Sequence, residues 1–201
     1  MTATTTPQTG TPQTGTPEIS TLPTGLPNGG TWVIDPAHSH VGFVVRHLVA
    51  AKARGRFGEF AGDIQVSDRP EDSSVVVEID AASIDTGQPE RDAHLRGADF
   101  FDVEQFPTIR FRSTAVRPVG DQRFDVDGEL TVRDVTRPVT LELELGGVVR
   151  DPFGNETVIF SAETELDRED FGLTYNQALE TGGVLIGKKA KIELEIEATK
   201  Q

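Results

Sequence analysis

The chain contains no cysteine, which excludes disulfides, thiolate nucleophiles and the Cys-rich zinc modules. Positive charge is scarce as well: 19 Lys and Arg stand against 33 Asp and Glu, a net charge of −14. Such a field repels phosphate backbones and anionic surfaces, so no nucleic acid is expected as a partner. Long apolar runs are missing. No segment approaches the roughly eighteen uninterrupted apolar residues of a spanning helix, and the N-terminal stretch lacks the positive cluster and apolar core of a signal peptide. A cytoplasmic protein without an integral membrane segment is therefore expected. The chain also has no Gly-x-Ser-x-Gly elbow, no Walker loop and no GxGxxG turn, which leaves serine-hydrolase and nucleotide-binding readings without a motif.

What is present divides in two. Residues 1–28 are mainly Thr, Pro, Gln and Gly, with TPQTG at 6–10 and again at 11–15. Such a segment cannot bury enough apolar surface to offset its chain entropy and is expected to be a disordered tail. The remaining residues, 29–201, fit a single domain.

After Gly30 the pattern becomes β-rich, punctuated by Gly, Pro and Asp. Strands are expected at 32–47 (with a possible break at Pro36), 55–67, 73–84, 108–117, 123–133, 138–149, 156–167 and 187–199. Alternation is clearest where Val139, Leu141, Leu143 and Leu145 oppose Thr140, Glu142 and Glu144, and where Ala190, Ile192, Leu194, Ile196 and Ala198 oppose Lys191, Glu193, Glu195 and Glu197. A helix would not sort these residues so cleanly. Gly120-Asp121 supplies a hairpin turn. The reading is all-β: eight antiparallel strands that close into a barrel, removing exposed edges and leaving space for side chains or one small ligand. A two-sheet sandwich is the alternative. One short helical insertion is expected, with Pro89 at its first position, Glu90 and Asp92 near its positive end, and Gly97 ending it.

Strand parity puts Ser39, Val41, Phe43, Val45 and His47 on one face. Phe43, Val45 and His47 on this face, with Phe57, Phe60, Phe111, Leu130, Leu141 and Phe171, are candidates for the lining of an apolar space. Phe100, Phe101 and Phe106 form an aromatic cluster suited to closing one barrel end or lining its entrance. Arg91 and His94, three residues apart on the helix, can receive an anionic head group. Alternatively, Arg91 pairs with Asp99 or Asp102, and Arg168 faces the same choice. His38 and His40 share a strand face, and a third ligand such as His94 would be needed for zinc. Hydrogen-bonded histidines beside Asp35 and Asp99 are the structural alternative.

The segments WVIDPAHSHVGFVVRHL, GRFGEFAGDI, ERDAHLRGADFFDVEQFPTIRFRST, DGELTVRDVTRPVTL and DREDFG, followed by YNQALETGGVLIGKKAKIELEIEA, occur in the order of a known family. From about Thr31 to Ala198 the chain resembles the YceI-like polyisoprenoid-binding proteins. The resemblance implies a lipocalin-like barrel whose apolar pore holds an isoprenoid or related lipid, usually in a homodimer, without catalysis or cofactor. It marks Phe43, His47, Arg91, His94, Phe100, Phe101, Phe111, Phe171 and Asn176 as family-motif positions. The expected function is non-enzymatic binding, transport or storage of a polyisoprenoid or similar elongated lipid. Two rivals stand beside it: a metal-assisted or acid-base enzyme using His38, His40 and His94, and a scaffold filled by its own side chains.

Overall fold

The computed structural model describes residues 26–48, 51–150, 154–180 and 183–201; most of the expected tail, residues 1–25, lies outside them. The strands are β1 (Gly30–Ile34), β2 (His40–His47), β3 (Ala51–Phe57), β4 (Phe60–Val66), β5 (Ser74–Asp80), β6 (Ile84–Asp85), β7 (Thr108–Gly120), β8 (Arg123–Val132), β9 (Val135–Arg150), β10 (Glu156–Asp167) and β11 (Ile186–Lys200), with one helix, α1 (Pro89–Arg96). Among the described residues no helix is long and apolar enough to cross a membrane.

The sheet runs β1-β4-β5-β7-β8-β9-β10-β11 and closes when β11 returns to β1, pairing Lys200 with Trp32 and Ala198 with Ile34. That is an eight-stranded antiparallel barrel. The N-terminal half of β11 pairs with β2, from Glu195 opposite His40 to Ile186 opposite His47, and β3 lies beside β2. Two staves are therefore bent, β1 into β2 and β3 into β4.

Each bend has a local cause. Pro36 lacks an N–H and holds its predecessor extended. Asp35 accepts from the Ala37 N–H at 2.9 Å and meets His38 Nδ1 at 2.8 Å. Ser39 Oγ then donates to the Glu197 carbonyl and accepts from the Glu197 N–H, bridging the gap in the ladder. At the second bend the Gly58 N–H donates to the Ser83 carbonyl. This splits the expected 55–67 strand in two, and a 3-10 turn at Ala81–Ser83 ends β5 before the expected 73–84 segment is complete. The β7–β8 hairpin turns on Asp121 and Gln122, with Gln122 at φ 59°, one residue beyond the expected Gly120-Asp121, because Gly120 still pairs with Arg123.

Apolar packing is concentrated at the two ends. One cluster gathers Trp32, Ile34, Phe60, Phe124, Leu145, Val158 and Ile196; the other gathers Ala81, Ile109, Val132, Phe171 and Leu173. Trp32 is fully buried and its indole N–H donates to the Asn28 carbonyl at 3.1 Å, so order reaches slightly upstream of β1. The inward side chains Phe43, Leu130, Val139, Leu141, Ile192 and Leu194 line the interior and are only half-buried, with Leu194 touching the first cluster and Leu130 and Val139 the second. The middle of the barrel is hollow.

α1 lies where β3 has no continuous neighbour, since only Arg56 and Phe57 pair onward with β6. Buried Asp92 accepts from both the N–H and the hydroxyl of Thr86. Arg96 donates to the Ala82 and Ile84 carbonyls, each at 2.7 Å. These charge-assisted bonds latch the helix to β6.

Candidate functional site: an apolar cavity

The hollow is a cavity of about 630 Å³ with an overwhelmingly apolar wall, within the size range of pockets that enclose small molecules. Its lining on β11 runs from Ile186 to Ile196, a span of roughly 30 Å of strand. β2 contributes Val41, Phe43, Val45 and His47, the parity read from the sequence. Phe57, Phe60, Arg91, His94, Phe100, Phe101, Phe111, Leu130, Leu141 and Phe171 also line it. Asn176 does not: its amide donates to the Ile186 carbonyl and accepts from the Ile186 N–H, fixing the start of β11.

Two glycines shape the wall. A Cβ at Gly55 would come within 2.4 Å of the Phe43 ring, and one at Gly128 equally close to that of Phe111. Gly55 is the cross-strand partner of Phe43, so the ring lies flat over it and leaves the interior open. Phe43 also packs against Phe57, whose ring meets Phe101 edge-on at 5.8 Å. Phe106 is outside this cluster and sits beneath the Arg133 guanidinium, 5.4 Å away.

The exposed lining residues Arg46, Glu90, Arg91, His94 and Gln177 mark where the cavity reaches solvent. Among the described residues Arg91 makes no acid pair; its Nε and Nη2 donate to the Thr86 hydroxyl and carbonyl. His94 Nε2 meets Asp99 at 2.9 Å, and its ring packs edge-on against Phe100 and Tyr175. His38 is bound separately to Asp35, and its pKa is raised by that hydrogen bond and by the charge of Asp35. His38, His40 and His94 form no common group, and no cluster of three His, Cys, Asp or Glu placed to hold a metal occurs among the described residues.

Arg168, read from the sequence as a head-group contact or an acid pair, is the buried polar feature of the wall. It is 6 % exposed yet lines the cavity. Its Nε donates to the Gly187 carbonyl at 3.0 Å and its Nη1 to the Leu173 carbonyl, while Nη2 has no partner. Burial lowers its pKa. Neither Asp167 nor Glu169 forms an ion pair with it: Asp167 caps the Arg168–Phe171 turn and Glu169 takes Lys188. Tyr175, Gln177 and Leu185 on the rim were missed by the sequence reading. They lie in an irregular segment with no period to read.

The fold and cavity together define a hollow antiparallel β-barrel, an architecture wide enough for its own side chains or for one small ligand. The YceI-like domain model matches residues 32–198, and the chain belongs to that family. It is 38% identical over 155 residues to a UPF0312 protein of Vibrio parahaemolyticus, covering 76% of this chain and 82% of the relative. A UPF0312 protein of Pseudomonas putida is 39% identical over 137 residues, 68% and 71% of the two chains. Among solved structures, the Campylobacter jejuni YceI protein matches with TM-score 0.67 and 25% identity over 78% of this chain and 90% of that one. Burkholderia cenocepacia BcnA matches with TM-score 0.70 and 23% identity over 82% and 98%. A polyisoprenoid binding domain from Saccharophagus degradans matches with TM-score 0.66 and 14% identity over 87% and 100%. The last two are similar in fold.

Proposed function

We propose that the protein binds, transports or stores a polyisoprenoid or similarly elongated lipid, holding the apolar chain inside the barrel and leaving it chemically unchanged. The observation that carries this reading is the hollow apolar middle between two packed ends. The polyisoprenoid binding named for the Saccharophagus degradans domain supports the ligand class. Burying about twenty carbons at roughly 0.8 kcal/mol each offers about 16 kcal/mol, against association costs of order 4–15 kcal/mol. Micromolar or tighter affinity is therefore within reach without covalent chemistry.

The polar end of the ligand lies among Arg46, His47, Arg91, His94, Tyr175 and Gln177, and the expected apolar contacts, Phe43, Val45, Phe57, Phe60, Phe100, Phe101, Phe111, Leu130, Leu141 and Phe171, meet the chain. No observation favours the histidine-centred enzyme once His38 and His94 are seen in separate acid pairs. A cytoplasmic homodimer completes the reading, to be checked by fractionation and by sedimentation. The direct test is mass spectrometry of organic extracts from natively purified protein. A stoichiometric long-chain lipid supports a carrier, metal without lipid supports the enzyme, and neither supports a filled scaffold.

A further inference from the structure

Between Asp35 and Glu59 the chain has no acidic residue and four basic ones, Arg46, Lys52, Arg54 and Arg56. In a protein of charge −14 this is a local reversal of sign. The stretch contains the β2–β3 pair, where Arg46 lies directly opposite Lys52, a like-charge arrangement that costs stability. All four side chains are exposed. Arg56 approaches Asp85 at 3.5 Å, whereas Arg46, Lys52 and Arg54 have no acidic partner among the described residues. Lys189 on the neighbouring β11 is likewise exposed and has no acidic partner among the described residues.

The same end presents apolar side chains to solvent. Leu48, immediately after β2, has φ 49° and is 50% exposed. Its N–H donates to the Leu185 carbonyl, which brings it beside Val184, 46% exposed. Charge at an open strand edge prevents edge pairing, and β3, which beyond Arg56 and Phe57 has no second neighbour among the described residues, is such an edge. Edge protection accounts for charge on β3 but not for Arg46 on the doubly paired β2, nor for exposed Leu48 and Val184 beside it. Arg46 and His47 on this hairpin also line the cavity where it reaches solvent.

We propose that the β2–β3 hairpin docks the cavity mouth on an anionic lipid bilayer, with Leu48 and Val184 entering the interface and Arg46, Lys52, Arg54 and Lys189 meeting the lipid phosphates. This rests on the lipid-carrier reading and adds the surface at which the cargo is exchanged. The rest of the acidic surface is repelled from the bilayer, which orients the mouth toward it.

The test uses the full chain with vesicles of phosphatidylcholine alone or with 30% phosphatidylglycerol (a roughly physiological anionic fraction), measured by co-sedimentation at low and high salt. Binding is expected only to the anionic vesicles and is weakened by salt. Arg54→Glu lowers it at least tenfold and Leu48→Asn, which suits the left-handed backbone there, at least threefold. Arg123→Glu, at the opposite end of β8 from Val132 and so about 30 Å along the strand, leaves it unchanged. Melting curves establish that each variant is folded. Equal binding to both vesicle types, absence of binding, or equal loss in Arg54→Glu and Arg123→Glu overturns the proposal. Binding to soluble polyglutamate as strong as to vesicles, with no effect of Leu48→Asn, assigns the face to an acidic protein and also overturns it. Cavity affinity for a prenyl alcohol, measured separately without vesicles, keeps the two readings apart: cargo binding without vesicle binding defeats only the docking face, and vesicle binding without cargo binding defeats the carrier.

Discussion

Ala190→Phe separates a hollow barrel from a filled one. Ala190 points into the cavity from β11, opposite Val45 on β2 and Leu166 on β10. A benzyl group needs about the space of an engineered cavity that binds benzene, roughly 150 Å³, close to a quarter of the 630 Å³ present. That is the room taken by about one five-carbon isoprene unit. At roughly 0.8 kcal/mol per methylene the lost burial is about 4 kcal/mol, nearly a thousandfold in Kd. Allowing half of this to be recovered by shifts of the chain leaves a loss of about thirtyfold. In a filled core the same substitution would strain neighbours at a cost of about 1–3 kcal/mol; entering a void, it should leave Tm within about 2 °C of the parent. The assay is displacement of a fluorescent long-chain probe by prenyl alcohols of increasing length, alongside thermal melts. Loss should grow with chain length, and the shortest alcohols should bind as they do to the parent. A folded Ala190→Phe protein with unchanged affinity for the longest alcohol would refute the placement of cargo between the two packed ends, as would a marked fall in Tm without any effect on binding.

Three further outcomes follow from named contacts. Phe43→Asp places a carboxylate on the apolar wall beside Phe57 and should abolish probe binding in folded protein, whereas Val44→Thr on the outer face should not; retained affinity in Phe43→Asp would reverse the assigned face. Arg168→Met removes two bonds from a buried guanidinium to the Gly187 and Leu173 carbonyls but also relieves the unpartnered Nη2, for a net loss of about 2 kcal/mol and a Tm fall of about 4–8 °C, and a rise in Tm would contradict it. The Asp35–His38 pair has a raised histidine pKa and a lowered aspartate pKa. Its contribution is therefore present below the ordinary histidine pKa, fades as pH rises through the raised value, and is lost on the acid side as Asp35 is protonated below its ordinary value. His38→Gln should accordingly lower Tm more at pH 5.5 than at pH 8.5, and an equal shift at both would assign His38 no charged role.

Local rules carried much of the fold. Period-two alternation identified the inward face of β2 and both faces of β9 and β11, and Pro89 and Gly97 bracketed α1 as expected, because each of these signals is complete within a few residues of chain. On β2 the inward positions Phe43, Val45 and His47 followed from the same parity and lie along the cavity, whereas Arg91, His94, Phe100 and Phe101 were read from helix spacing, aromatic clustering and the family resemblance. The breaks at Gly58 and Asp80 were not legible, since they depend on the Gly58–Ser83 bond and on the Asp80 side chain accepting from Ala82. Nor was the partner of Arg91: acids are abundant nearby in sequence, but the latch of Asp92 to Thr86 brings Thr86 within its reach instead.

Sequence by itself determined which side chains point inward, because a strand has only two faces and a charged residue seldom belongs on the dry one. Whether those inward side chains meet across the barrel or leave a space was decided only by closure. The diameter depends on strand number and stagger, and Phe43 and Phe111 lie back against the wall because Gly55 and Gly128 are the residues beneath them. The same alternation in a narrower barrel would interdigitate into a solid core. Here it surrounds a cavity, and brings Arg168, Tyr175 and Gln177 to its wall and rim from segments with no periodicity at all.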